Sequence, residues 1–493
     1  MQHMTATFLL ASMLALGACK GSGGKSEGID TGRNEPRAET PEVQAADGGM
    51  GQPALAAGLN IPLETLGYSE KEYFLSGTAR SYLSRAGQVL TEDGLWDIEA
   101  GTAAPYVTRA VVYRPLAAAN FNGTVIVEWM NVTSGSDVSP VLIYTHNELI
   151  REGYVLVSLS AQAAGVESTK ALDPERYTRL QHPGDNHSYD IFSQVGQAVW
   201  DHADLLLDGL IPQRVIGAGE SQASYRLVTY ANAVHPLVTV YDGFLLHSRL
   251  AKPAPLATEG DVPGSTAIRP NLGVPVLVFQ TEADINEVTR QSETSTYRLW
   301  EVAGTAHFDA YGGGAGLTDT GDGQGAVLAV QALLSPPKSV FGLITCDKPI
   351  NAGPMNFVLS AAIHALDKWV RTGNPPATAN QLQAIDFTLY SPRLERDASG
   401  NALGGIRTPF VDVPLAVLSG AGNSGGNGFC GLFGTTTPYN ATELDARYPT
   451  QQVFVNAWTA ATEEAVDKGF IRPADGQALI DAAKRVQISP YFW

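Results

Sequence analysis

Three residues of complementary chemistry, Ser221, Asp284 and His307, each follow closely on an apolar run. A serine hydroxyl is a poor nucleophile until a neighbouring imidazole takes its proton, and the imidazole needs a carboxylate to hold its tautomer and its charge. Together they are the parts of nucleophilic acyl transfer. Ser221 sits in Gly219-Glu220-Ser221-Gln222-Ala223, just after the run RVIGAG (214–219). The frame is close to G-x-S-x-G, with alanine in the last place, and such a strand-to-helix turn tolerates only small residues two positions either side of the serine. Asp284 ends VPVLVFQTEAD (274–284), where Glu282 is a possible alternative acid. Strand alternation would point Glu282 and Asp284 to the same side, so periodicity does not separate them. A tetrahedral intermediate also requires preorganised donors for its oxyanion. One is expected from the backbone N–H of Gln222, the other from the loop after TVIVEW, at Asn131–Val132, with the adjacent Met130 also open.

These residues need a scaffold that brings strand ends together. From about residue 105 apolar runs alternate with helical stretches: 107–115, 123–131, 153–161, 214–219, 238–248, 274–284 and 297–304 read as strands, 139–152 and 189–209 as helices. Several runs are near-continuous Val, Ile and Leu, as expected for parallel strands covered on both faces. The alternation predicts an open α/β sheet, whose ligands lie beyond the carboxyl ends of its strands. Ser221, Asp284 and His307 fall there in that order, after successive strands.

The chain resembles the α/β-hydrolase superfamily, and more closely a bacterial family described as alpha/beta hydrolase domain-containing proteins. The resemblance runs from about residue 60 to 493 and rests on EYFLSGTA (72–79), FNGTVIVEWMNV (121–132), HPGDNHSYDIFSQVGQA (182–198), GESQASYRLVTYANAVHPL (219–237), YDGFLLHSR (241–249) and FCGLFGTTTPY (429–439). It implies an α/β-hydrolase fold, mostly parallel with helices on both faces, and an esterase-like Ser221–His307–Asp284 triad, without settling the substrate; with the residues above, the expectation is a serine hydrolase of carboxylic esters without metal or organic cofactor. The acid in this family usually ends a G-x-x-D frame; Thr281 takes the glycine's place here, which favours Asp284 over Glu282. An acyltransferase or amidase would use the same triad, and a surface lipoprotein that binds ligands without turnover is the reading from another class.

The formal charge of −18 and the lack of a basic stripe argue against a nucleic-acid partner. Residues 5–18 form an uncharged apolar run too short to span a bilayer but suited to a signal peptide, and Leu16-Gly17-Ala18-Cys19 resembles a bacterial lipobox. Residues 1–19 are thus expected to be a signal with Cys19 lipidated, placing the protein in the cell envelope. Residues 20–58, rich in Gly, Pro, Ser and charge, are expected to be a disordered tether. The domain is expected to cover 59–493, with a core at about 105–310 and an extension at 311–493 packed on it. In an exported chain the two remaining cysteines, Cys346 and Cys430, are expected to pair. Lid and pocket walls are expected from 162–190 and from the segment after His307. That segment holds a Gly-rich stretch (311–325), read as a flexible loop, and helices at 356–376 and 451–470. His182, Asp185, His187 and Asp190 are metal-ligand types without a standard metal spacing, and read as a loop. Arg407 reads as a structural ion pair before an anion site.

Cys19→Ser is expected to release the protein from membrane fractions. A wild-type protein that is wholly soluble, with an unmodified N-terminus, would contradict the lipobox reading.

Overall fold

The computed structural model describes residues 37–488 apart from 56 and 258–259, so the expected signal peptide and Cys19 lie outside the described residues. Nine strands form one sheet: β1 (Glu42–Ala45), β2 (Tyr68–Ser84), β3 (Ile98–Pro115), β4 (Thr124–Trp129), β5 (Val155–Leu159), β6 (Arg214–Glu220), β7 (Gly243–His247), β8 (Val276–Thr281) and β9 (Tyr297–Val302). Their order is β1-β2-β3-β5-β4-β6-β7-β8-β9. From β5 to β9 every pairing is parallel, and the pairings from β1 through β3 to β5 are antiparallel.

β4, β5, β7 and β8 are buried along their whole lengths, which is why they read as unbroken apolar runs. Their side chains divide between two layers by strand alternation. Val125, Val127, Val276 and Val278 face one core, with Phe192 of the helix Ser188–Asp201 and Leu227 of the helix Gln222–Thr229. Ile126, Leu277 and Phe279 face the other, with Leu142 of the helix Pro140–Glu152 and Leu359 of the helix Met355–Thr372. The extension adds a third cluster built around Phe410, Phe454 and Trp458, with the helices Gln324–Leu334, Gln451–Asp467 and Pro473–Arg485. Among the described residues no helix is long and apolar enough to cross a membrane.

The structure departs from the expected boundaries at the amino-terminal side. The tether expected over 20–58 gives way to structure within the described part: β1 pairs antiparallel with β2, Glu42 opposite Ser76. Arg176 donates to the carbonyls of Ala46 and Gly48, and the Met50 N–H to Asp173. A composition argument counts side-chain burial, whereas this segment is held chiefly through its backbone on an open sheet edge. The sheet also extends before the core expected from about 105: β2 and the first part of β3 precede it, and only the end of β3 matches the strand expected at 107–115. The β2–β3 hairpin is held by a buried ion cluster in which Glu72 takes Arg109 at 2.8 Å and Arg176 at 2.7 Å. The helix expected over 189–209 breaks at His202.

Candidate active site

β6 runs into Ser221, whose backbone takes φ 53° and ψ −116°, and the helix Gln222–Thr229 begins at the next residue. A β-carbon on Gly219 would stand 3.0 Å from Leu227 Cδ1 and 3.2 Å from the Ala223 β-carbon, while Ala223 itself is fully buried. The turn is therefore closed to larger residues at both flanking positions, which is the physical content of the motif. The Ser221 N–H donates to the His247 carbonyl of β7 at 2.9 Å, so the positive φ is fixed from the neighbouring strand.

The chain leaves β8 and β9 beside this turn. His307 Nε2 lies 2.8 Å from Ser221 Oγ, and Nδ1 lies 2.6 Å from Asp284 Oδ1. The other Asp284 oxygen accepts the Thr281 hydroxyl, a bond that glycine at this position does not make. Ser221, Asp284 and His307 are thus brought together, and all three are buried. Glu282 is not part of this group. The chain turns after Thr281, so alternation no longer holds. Glu282 instead accepts the N–H groups of Gly304 (2.7 Å) and Gly420 (3.1 Å) and pairs with Arg396 (3.2 Å).

Sequence reasoning missed a second carboxylate at the site. Glu220, the free position of the motif, places Oε1 3.2 Å from His307 Nε2, while Oε2 accepts from Asn131 Nδ2 at 2.7 Å. Burial pushes Glu220 up to about 7, with Asp284 adding to the effect against the pull of His307 and Asn131. Burial alone would lower His307, but the charges of Asp284 and Glu220 and the Asp284 hydrogen bond outweigh it and raise the imidazole to about 9. For Asp284 burial acts upward, and the His307 charge and hydrogen bonds prevail, holding it below its ordinary value. Tyr390, also unforeseen, packs edge-on against the imidazole with ring centres 5.2 Å apart.

The loop after β4 narrows the choice of oxyanion donor. The Met130 N–H donates to Leu159 (3.1 Å) and the Asn131 N–H to Val138 (2.9 Å). The Asn131 amide is engaged by Glu220, so Asn131, expected as a donor, is instead an anchor for that carboxylate. Among the described residues the Val132 N–H has no acceptor, nor has the Gln222 N–H at the first position of its helix. The far end of the loop is pinned by buried Glu128, which accepts the hydroxyls of Ser139 and Ser158 and the Val141 N–H. Burial pushes Glu128 up to about 8.

A cavity of about 300 Å³ opens at Ser221 and His307. Its walls come from 131–140, 341–344 and 429–433; the expected contribution from 162–190 is absent from its lining. That segment is instead fastened elsewhere, Asp185 to Arg226 at 2.9 Å and Asp190 to Tyr82 at 3.0 Å. Among the described residues no cluster of His, Cys, Asp or Glu has the makings of a metal site. Arg407 pairs with Asp412 at 2.5 Å and Asp397 at 3.0 Å. The Gly-rich stretch after His307, expected as a flexible loop, is packed: Gly312 lies so close to Tyr144 that a β-carbon would meet its hydroxyl at 2.3 Å. A larger cavity, about 810 Å³ between 310 and 353 and the last helix, contains none of the three residues.

A family described as an alpha/beta hydrolase domain matches residues 35–481. The chain belongs to that family. Among solved structures, the chain is similar to an alpha-beta serine hydrolase homologue from Coxiella burnetii, at 16% identity over 41% of this chain and 85% of that one, TM-score 0.27. A fungal esterase from Rhizomucor miehei matches at 13% identity over 42% of this chain and 66% of that one, TM-score 0.22. The rice cell wall degrading esterase LipA from Xanthomonas oryzae matches at 10% identity over 43% of this chain and 50% of that one, TM-score 0.23. No curated protein sequence matches the hydrolase.

The second carboxylate has a pH signature. Were His307 to accept the Ser221 proton it would have to be neutral, and both carboxylates favour its protonated form, so an activity that used this pair is expected to rise with pH through an acid limb above the ordinary imidazole value. Glu220→Gln keeps the shape and the Asn131 contact but removes the charge, so that limb is expected to shift to lower pH. An unmoved limb in this variant would show that Glu220 does not act on His307.

Proposed function

We propose that the protein hydrolyses carboxylic esters, with Ser221 as nucleophile, His307 as general base and then acid, and Asp284 as the residue that orients and stabilises the imidazolium. The observation that carries this reading is the unbroken hydrogen-bonded path from Ser221 Oγ through His307 to Asp284, at 2.8 and 2.6 Å, set at the ends of parallel strands beside an open cavity.

In the first half-reaction Ser221 Oγ attacks the ester carbonyl carbon while its proton passes to His307 Nε2. Negative charge collects on the carbonyl oxygen, where the N–H groups of Gln222 and Val132 are the proposed donors. Collapse breaks the bond to the alcohol oxygen, which leaves with the Nε2 proton. In the second half a water gives its proton to Nε2 and its oxygen to the acyl carbon, and Ser221 Oγ departs and recovers the proton. Glu220 faces the nitrogen that is protonated midway through both halves, and its charge supports that state. A disulfide between Cys346 and Cys430, present as expected, accords with export to an oxidising compartment.

Ser221→Ala is expected to lower kcat by several orders of magnitude, and Asp284→Asn by about 10⁴-fold, as when a triad loses the carboxylate that fixes its tautomer. Glu282→Gln is expected to retain near-normal kcat, with any cost falling on stability. Steady-state kinetics on one ester check all three. A crippled Glu282→Gln beside a near-normal Asp284→Asn would mean that the acid is misassigned.

A further inference from the structure

The cavity beside Ser221 has a composition that points to one kind of substrate. Phe308, next to His307, begins an aromatic wall: its ring centre is 6.0 Å from Phe341 and 5.6 Å from Phe433. Ile344, Phe429 and Leu432 continue it. Among the described residues no lysine or arginine lines the cavity, and its polar side chains away from Glu220, Ser221 and His307 are Asn131, Thr133, Ser134 and Ser136 on the loop after β4.

The apolar wall is assembled from two short pieces of chain that have little regular structure of their own. One is the pair of two-residue strands Ser339–Val340 and Ile344–Thr345, joined through Phe341 at φ 53°. The other is the irregular turn Gly426–Leu432. The Cys346–Cys430 disulfide joins them, with Ile344 two residues before one cysteine and Phe429 immediately before the other. A further link runs to the base itself, because the Phe308 N–H donates to the Leu432 carbonyl at 3.1 Å. The exposed rim continues the apolar character, with Phe341, Leu343 and Phe429 all open to solvent.

We propose, building on the esterase reading, that this hydrolase selects esters with one apolar arm, aryl or medium-chain alkyl, and that the disulfide holds the aromatic wall that selects it. A volume of about 300 Å³ is at the small end for ligand pockets and suits an aryl ring or a chain of about six carbons. Burying such an arm against Phe341, Phe429 and Phe433 removes apolar area from water, while a charged arm would find no counter-ion there.

The experiment measures kcat/KM by pH-stat for methyl acetate, for methyl hexanoate and methyl 3-phenylpropanoate, which extend the acyl side, and for hexyl acetate and benzyl acetate, which extend the alcohol side. One of the two extensions is expected to exceed methyl acetate by at least about tenfold, given the free energy of each buried methylene. In Phe341→Ser, and in the double variant Cys346→Ser with Cys430→Ser, that preference, read as the ratio of kcat/KM for the extended ester to kcat/KM for methyl acetate, is expected to fall severalfold. Fluorophosphonate labelling of Ser221 in each variant verifies that the site is still formed; if the double variant is not labelled, Phe341→Ser alone decides. Equal rates for short and extended esters, or a preference untouched by the informative variants, would overturn the proposal and leave the esterase reading intact. A labelled wild-type protein that cleaves none of the esters would overturn the esterase reading and this inference with it.

Discussion

One imidazole lies between two buried carboxylates, and the rest of the site is arranged around that fact. A charge removed from water is costly unless it is paired and hydrogen-bonded. Asp284 and Glu220 face opposite nitrogens of His307, at 2.6 and 3.2 Å, and each needs other partners for its remaining oxygen. Thr281 supplies one and Asn131 the other. Both carboxylates arrive on rigid elements: Glu220 closes β6 and Asp284 follows β8 by a short turn. The sheet therefore fixes the two anions, and the imidazole must be brought to them.

The extension meets that demand. The loop carrying His307 is fastened at successive points: the Ala303 N–H to Ile406, the Phe308 N–H to Leu432 and the Ala310 N–H to Asn351. Asn351 also donates to the Gly304 carbonyl, and Glu282 accepts the Gly304 and Gly420 N–H groups while pairing with Arg396. Residues well beyond β9 thus set the position of His307, and Tyr390 from the same region packs on its ring. The extension is a scaffold for the histidine as much as a wall for the cavity. This explains why buried Glu282 lies so near the site without belonging to its chemistry.

Ser221, Asp284 and His307 were legible because each has a type that the proposed chemistry demands and follows an apolar run that only a buried strand explains. Ser221 carried an additional constraint, since Gly219 and Ala223 are dictated by a turn too tight for larger side chains. Glu220 was not legible because the motif leaves its position free, and only the fold reveals that its side chain turns toward His307. Periodicity left Glu282 and Asp284 equal, since the alternation rule presumes a strand that has in fact ended at Thr281. Asn131 looked like an oxyanion donor, but its amide serves Glu220 and its N–H serves Val138, and neither partner adjoins it in sequence. The same limit hid β1, whose backbone pairing leaves no apolar signature, and the aromatic wall, whose glycine-rich pieces have no period.

Trapping a covalent intermediate decides whether Ser221 is the nucleophile. The protein is mixed with an excess of a chromogenic ester, quenched with acid within milliseconds, and its intact mass and peptide map are recorded. With Ser221 as nucleophile, a mass increase equal to the acyl group is expected on Ser221, appearing as fast as the initial burst of released alcohol. A burst of alcohol with the acyl group on another residue, or ester cleavage with no acylated protein at any time in the burst, would contradict that role.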